Sequence, residues 1–164
     1  MSFSERDLAY LAGFFDGEGS ISFGFGASTK KGIIYWYPHI QLSICNTDKE
    51  CMEFLQKKYA LGNIYTSANN HPRQGKHPEE WHDLTTWRIG SKDEIDKFLH
   101  LIEPYVLLKT KYLILCRKAL EILSMEPSTN RDVSFRQIVD SAKKLKTKAN
   151  RGRKRKYDRP NRFQ

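Results

Sequence analysis

The sequence predicts an α+β domain in which helices cover one face of an antiparallel sheet. Three observations predict it. The apolar period changes from helical to alternating and back twice along the chain, so that two helices each precede a pair of strands. Three segments, Ser4-Glu5-Arg6-Asp7, Thr47-Asp48-Lys49-Glu50 and Ser91-Lys92-Asp93-Glu94, have the form of capping boxes that open helices. The 164 residues, 39% of them apolar, suffice for one core and not for two.

Taken in order, Leu8, Leu11, Ala12 and Phe15 follow helical spacing after the first box, and the helix is expected to stop near Gly17 or Gly19. Ile21, Phe23 and Phe25 then alternate with Ser20, Ser22, Gly24 and Gly26, which reads as a half-buried strand. Ser28 to Gly32 supplies a turn, and a second strand runs to about Cys45, with Ile40, Leu42 and Ile44 opposite in phase to His39, Gln41 and Ser43. Pro38 has no N–H and belongs at an edge or a bulge.

A second helix carries Met52, Leu55 and Tyr59 inward and is expected to end at Gly62. A short strand over Asn63 to Ser67 is followed by a long polar loop, Ala68 to Asp83, containing His71, His77 and His82. Leu84 to Gly90 is again strand-like. A third helix presents Ile95, Phe98, Leu99 and Ile102, with Pro104 beyond its end. Helices over about Lys109–Leu123 and Asp132–Ala149 follow, so residues 1–150 form one domain and residues 151–164 a basic tail. The sheet face opposite the helices carries small and polar residues. It is either a solvated surface or a binding platform.

The formal charge is +9, with 28 basic against 19 acidic residues. Eleven of the basic residues lie in residues 143–164 beside a single acid, Asp158, so that segment carries +10 and residues 1–142 carry −1. A basic terminus on a nearly neutral body points to a polyanionic partner contacted through its phosphates. No apolar run approaches the roughly 20 residues that span a bilayer, which excludes an integral membrane protein. Cys45, Cys51 and Cys116 lack metal-finger or disulfide-framework spacing, so a reducing intracellular setting is expected, and the first residues do not resemble a targeting signal.

One nonapeptide concentrates the chemistry. In Leu11-Ala12-Gly13-Phe14-Phe15-Asp16-Gly17-Glu18-Gly19, Gly13 and Gly17 are four residues apart and share a helical face, which with Ala12 is almost without side chains. Two such faces can meet backbone to backbone. Glu18 follows at the helix end. Two copies of it brought together would repel unless hard cations with oxygen ligands neutralised them.

The nonapeptide resembles the signature of the LAGLIDADG homing endonucleases, and the order of elements over residues 5–125 fits that family, with its α-β-β-α-β-β-α fold and saddle-shaped antiparallel sheet. The resemblance implies a site-specific double-strand DNA endonuclease of the intron-homing type. Such an enzyme hydrolyses one phosphodiester on each strand with Mg²⁺, for which Mn²⁺ substitutes while Ca²⁺ binds without supporting cleavage. No splicing-domain sequence surrounds the motif, which favours a free-standing enzyme of an organelle or a prokaryote over an intein.

The motif occurs once, which by resemblance implies a homodimer, paired through Leu11, Ala12, Gly13, Asp16 and Gly17 around a two-fold axis. By the same resemblance, Glu18 and the carbonyl of Gly17 are metal ligands, although many members have Asp where Glu18 stands. Lys109, after Pro104-Tyr105-Val106-Leu107-Leu108, corresponds to a lysine beside the scissile phosphate, and Asp48 to a residue that positions water. The polar sheet face becomes a major-groove reader of a pseudo-palindromic site about 20 base pairs long. Its candidate contacts are Ser22, Gly24, His39, Gln41, Ser43, Tyr65, Ser67, Thr86 and Arg88. Lys30, Lys31 and Lys111 are assigned to phosphates. Gln41 suits adenine and Arg88 guanine. Tyr35, Trp36 and Tyr37 are expected in core or dimer packing. The alternatives are a non-cleaving RNA maturase, a DNA-binding regulator of the same fold, and a sheet-based RNA-binding module, which would need aromatic side chains on the exposed strand face.

Overall fold

The computed structural model describes residues 3–67 and 83–151, with side chains to 146. The elements are α1 (Glu5–Glu18), β1 (Gly19–Lys30), β2 (Ile33–Asn46), α2 (Lys49–Tyr59), β3 (Asn63–Ser67), β4 (Leu84–Ile89), α3 (Lys92–Ile102), α4 (Thr110–Leu123) and α5 (Thr129–Arg151). This is the predicted α+β order. The expected histidine loop, over residues 68–82, and the basic tail, over residues 152–164, lie outside the described residues.

The strands form one antiparallel sheet in the order β1-β2-β4-β3. Its inward face supplies Ile21, Ile40, Leu42, Ile44, Trp87 and Ile89, all buried. The helices return the predicted apolar faces: Leu11, Ala12 and Phe15 of α1, Met52, Leu55 and Tyr59 of α2, and Ile95, Phe98, Leu99 and Ile102 of α3. A run of rings ties these layers together. Phe15 meets Phe98 edge-on at 5.4 Å, Phe98 meets Trp87 at 5.7 Å, and Trp87 stacks on Tyr59 at 6.4 Å. The Trp87 indole donates to the Leu61 carbonyl at 2.7 Å, so the largest core side chain is also satisfied as a donor. Phe135 of α5 packs edge-on against Phe25 of β1 at 5.6 Å, which fixes α5 against the sheet. No helix among the described residues is long and apolar enough to cross a membrane.

Several local expectations change. The first hairpin turns at Lys31-Gly32 alone, both with positive φ (51° and 79°), so β1 extends through Ser28 and Thr29 to Lys30. A two-residue turn with positive φ at both positions matches the twist of the strands it joins. The second helix is capped by Asp48 rather than Thr47, and it closes on Ala60 in the left-handed region, two residues before Gly62. Helix α5 begins at Thr129, earlier than expected. Pro38 faces Phe25 of β1, and the other edge of β2 pairs with β4 only from Leu42 to Asn46, so Pro38 sits on an unpaired edge as predicted.

Trp87→Phe removes the indole donor, leaves the Leu61 carbonyl unpaired and opens a cavity beside Phe98. Thermal unfolding is expected to register a loss of about 2–4 kcal/mol.

Candidate active site

The site is built on the way α1 ends. A Cβ on Gly19 would lie 2.3 Å from the Phe15 ring and 2.5 Å from its carbonyl, so only glycine lets the chain leave the helix there. Gly19 is extended, and its N–H still donates to Phe15 O. Glu18 thereby becomes the last helical residue, exposed, and Ser20 the first outward residue of β1.

Asp16, one turn earlier than the strand, reaches back into its own subunit. Its carboxylate accepts the N–H groups of Leu107 (2.7 Å), Leu108 (3.0 Å) and Lys109 (3.0 Å). Lys109 is the N-terminal cap residue of α4 but contributes no side-chain cap. Asp16 therefore caps α4 from a distant helix, with its charge at the end that favours an anion. The Lys109 ammonium donates back to the Asp16 carbonyl and lies 5.8 Å from the centre of the Phe15 ring. Burial pushes the pKa of Lys109 below the ordinary lysine value, while Asp16 and Glu18 oppose that shift. Glu18 and Lys109, 91 residues apart in sequence, thus sit in one electrostatic neighbourhood.

Asp48 does not join them. Its carboxylate caps α2 by accepting the Cys51 N–H at 2.9 Å, and its field falls on Tyr10, which lies against Cys51. Asp48 is thus the cap of α2, a contact that occupies its Oδ1 alone. Lys111 is exposed on the first turn of α4, beside Lys109. Among the described residues no group of three or more His, Cys, Asp and Glu converges. One subunit offers the Glu18 carboxylate and last-turn helix carbonyls such as that of Gly17. These are hard oxygen donors suited to Mg²⁺ or Ca²⁺, but only part of a coordination set.

The expected pairing surface is narrower than the motif. Leu11 and Ala12 are fully buried in the subunit's own core, because they lie on the opposite side of α1 from Gly13 and Gly17. Asp16 is committed to residues 107–109. Leu11 and Ala12 therefore have no surface left to offer a partner, while Asp16 stays half-buried. Gly13 and Gly17 are exposed, and a Cβ on either would meet nothing within 4 Å. Beside them, where Asp16 holds the turn, Leu107 and Leu108 are 83% and 80% exposed, more than any other large apolar residue described. The sequence places them ahead of the helix expected from Lys109; their exposure is what the fold adds.

On the outer sheet face the structure aligns Ser20, Ser22, Gly24 and Lys30 of β1 with Ser43, Gln41, His39 and Ile33 of β2. Asn63, Tyr65 and Ser67 of β3 lie opposite Arg88, Thr86 and Leu84 of β4 on the same face. Lys30 and Lys31 are exposed at the hairpin tip. Thr86 is the exception among the predicted contacts. It faces the right way but is 7% exposed, lying between Cys45 and Tyr65 with its hydroxyl 3.5 Å from the Cys45 sulfur.

Tyr35, Trp36 and Tyr37 are 48–66% exposed rather than packed in the core. Tyr35 and Tyr37 share the outer face with His39 and Gln41, a phase that counting by twos from Gln41 would have revealed. Gly24 and Gly26 leave room for the His39 and Tyr37 rings to lie across β1, since a Cβ would come within 3.1 Å and 2.7 Å of them.

This fold, with a glycine-lined helix ending in an acid beside a lysine and an outward polar sheet, is that of the LAGLIDADG homing-endonuclease structures. Residues 11–117 match the family described as LAGLIDADG endonuclease, so the chain belongs to that family. No curated protein matches it. Its fold is similar to that of the homing endonuclease I-CvuI, solved with the I-CreI target and Mg in a state where the DNA is not cleaved. The TM-score is 0.70 at 16% identity, covering 87% of this chain and 85% of that one. It is also similar to the archaeal intron-encoded I-Vdi141I complexed with DNA, with a TM-score of 0.62 at 18% identity over 94% and 90% of the two chains. A third similar structure is I-SmaMI bound to uncleaved DNA in the presence of calcium, with a TM-score of 0.65 at 22% identity over 87% of this chain and 46% of that one.

Asp16→Ala leaves three N–H groups of the α4 turn without their carboxylate. The subunit is expected to lose about 1–3 kcal/mol, with amide exchange accelerated at residues 107–109 while the outer strands stay protected.

Proposed function

We propose that the chain is a homodimeric, divalent-metal-dependent endonuclease that cuts both strands of a pseudo-palindromic DNA site. The observation that carries this reading is the placement of Lys109, hydrogen-bonded to the Asp16 carbonyl two residues before Glu18, at the end of a bare helical stripe and next to the first residue of the outward sheet face.

Two subunits related by a two-fold axis bring their stripes together and set two copies of Glu18 side by side. A divalent cation held by Glu18 and the Gly17 carbonyl, with Mg²⁺ as the working ion, supplies neutralisation of the carboxylates and Lewis acidity at the scissile phosphate. Lys109, one of whose three donors is tied to Asp16, directs a positive charge at the same place. Burial lowers its pKa, so a pH–rate profile is expected to fall on the alkaline side at a lower pH than an ordinary lysine would give. The outward strands read the major groove on each side. Coverage of 85% of I-CvuI but only 46% of I-SmaMI fits a chain that supplies half of a two-fold site.

A second reading has its own observation. Tyr35, Tyr37 and Tyr65 stand exposed on the outer strand face, the aromatic feature that an RNA-binding sheet requires and that the alternation of Ser, Gly and Gln alone conceals. An intron-splicing cofactor would use them to stack on unpaired bases.

The discriminating assay incubates the protein with the uninterrupted DNA sequence at its insertion site. Linear product in Mg²⁺ or Mn²⁺ but not in Ca²⁺ is expected, and Glu18→Gln should bind without cutting. Tight binding with no cut in either active metal would sink the endonuclease reading in favour of the non-cleaving ones. Dimerisation is tested at Gly13. Nothing inside the subunit occupies the space beside it, so Gly13→Leu should fold with a thermal midpoint at or above that of the parent. It should sediment as a single subunit and lose cleavage, whereas retention of the dimer would overturn this pairing.

A further inference from the structure

The second hairpin holds an arginine in an unusual way. Arg88 is exposed, and its guanidinium carbon lies 4.8 Å from the centre of the Tyr65 ring. Among the described residues its side chain has neither an ion pair nor a hydrogen bond. Arg117 is bound by Asp96 and Glu103, and Arg131 is paired with Asp132. Arg136 also lies over a ring, that of Phe25, but on the helix-facing side of the sheet. Arg88 is therefore a guanidinium steadied by an aromatic ring on the outer face, with its donors uncommitted among the described residues.

The register explains how this arises. Arg88 lies opposite Ser43 of β2 and Asn63 of β3, and Tyr65 lies opposite Thr86, two residues along β4. Diagonal neighbours at this offset are within reach for an arginine and a tyrosine. Ser20, opposite Ser43 and hydrogen-bonded to it at 2.9 Å, completes a row across all four strands that begins two residues after Glu18. A planar guanidinium stacked against a ring loses most of its torsional freedom while its N–H fork remains available at the edge, the form that pairs with two adjacent acceptors.

We propose that Tyr65 is a positioning residue. Rather than reading a base itself, it holds the Arg88 fork for a bidentate contact with the O6 and N7 acceptors of a guanine in the inner part of each half-site. This rests on the duplex-DNA reading of the sheet. It changes the role of Tyr65 from a base contact to a support, and it ties the preference at one position to two side chains.

The test is selection from a randomised duplex library by the full-length protein in Ca²⁺, followed by sequencing, with Arg88→Ala, Tyr65→Leu and Tyr65→Phe alongside the parent. Arg88→Ala should erase a guanine preference at one position per half-site. Tyr65→Leu should weaken that same preference by about tenfold and leave other positions unchanged, while Tyr65→Phe, which keeps the ring and drops the hydroxyl, should stay within about twofold of the parent. Thermal midpoints of the variants confirm that they are folded. The inference is overturned if Tyr65→Leu alters a different position or none, if Tyr65→Phe is as damaging as Tyr65→Leu, or if Arg88→Ala leaves every preference intact. A parent protein without any duplex preference overturns the inference together with the DNA reading, which separates the two failures.

Discussion

The carboxylate of Asp16 is the joint on which the functional end of the molecule turns. An acid in the last turn of a helix is poorly placed for that helix, whose C-terminal end carries partial negative charge. Asp16 is stabilised instead by three N–H groups from the segment ahead of α4, an end that needs an anion and has no cap of its own. Two helices far apart in sequence are locked end to end, and Lys109 completes the exchange by returning a hydrogen bond to the Asp16 carbonyl. The same joint fixes the separation of Glu18 from Lys109 and the projection of Leu107 and Leu108 beside the glycine stripe. The two acids of the motif are thus divided by environment: Asp16 is spent on the joint, and Glu18 is left exposed at the helix end.

How much of this was legible follows from the range of the interactions. Helix faces and strand phases depend on neighbours three, four or two residues away. For that reason Ile95, Phe98, Leu99 and Ile102 could be assigned inward and Gln41 and Ser43 outward without coordinates. Caps were harder, since Thr47 and Asp48 are chemically equivalent candidates and only the backbone conformation chose Asp48. The proximity of Glu18 and Lys109 was reached through a resemblance, because no local pattern encodes a contact between α1 and the start of α4. Leu11 and Ala12 were misassigned to a seam for a related reason. A nine-residue motif on a helix has two sides, and the motif alone does not say which side the core claims.

The outer face shows the limit of reading by composition. Counting Ser, Gly, Gln and His describes it as small and polar with Tyr65 as its one ring, yet Tyr35 and Tyr37 stand on it in the same phase. Each tyrosine is accommodated by a neighbour that carries little bulk or by a flat partner: Gly26 lies under Tyr37, and the Arg88 guanidinium packs against Tyr65. The pairing of a large ring with a small or planar neighbour is a cross-strand property. It becomes visible only once the register is known.

The first hairpin has a further consequence. Beyond Leu42 the outer edge of β2 has no neighbouring strand among the described residues, and from there to the Lys31-Gly32 turn β1 and β2 pair with each other. Ile33, Ile34, Tyr35, Trp36 and Tyr37 are all about half exposed or more, so little of the core's free energy depends on which residues stand there. Substitutions in this stretch are nearly silent for folding, whatever they do to the surface the hairpin presents. A lineage can therefore revise the tip one residue at a time without passing through unfolded intermediates, while the buried residues nearer Glu18, such as Ile21, Leu42 and Ile44, change only at the expense of the core. Evolvability in this molecule is graded along the hairpin, greatest where the chain is farthest from its chemistry.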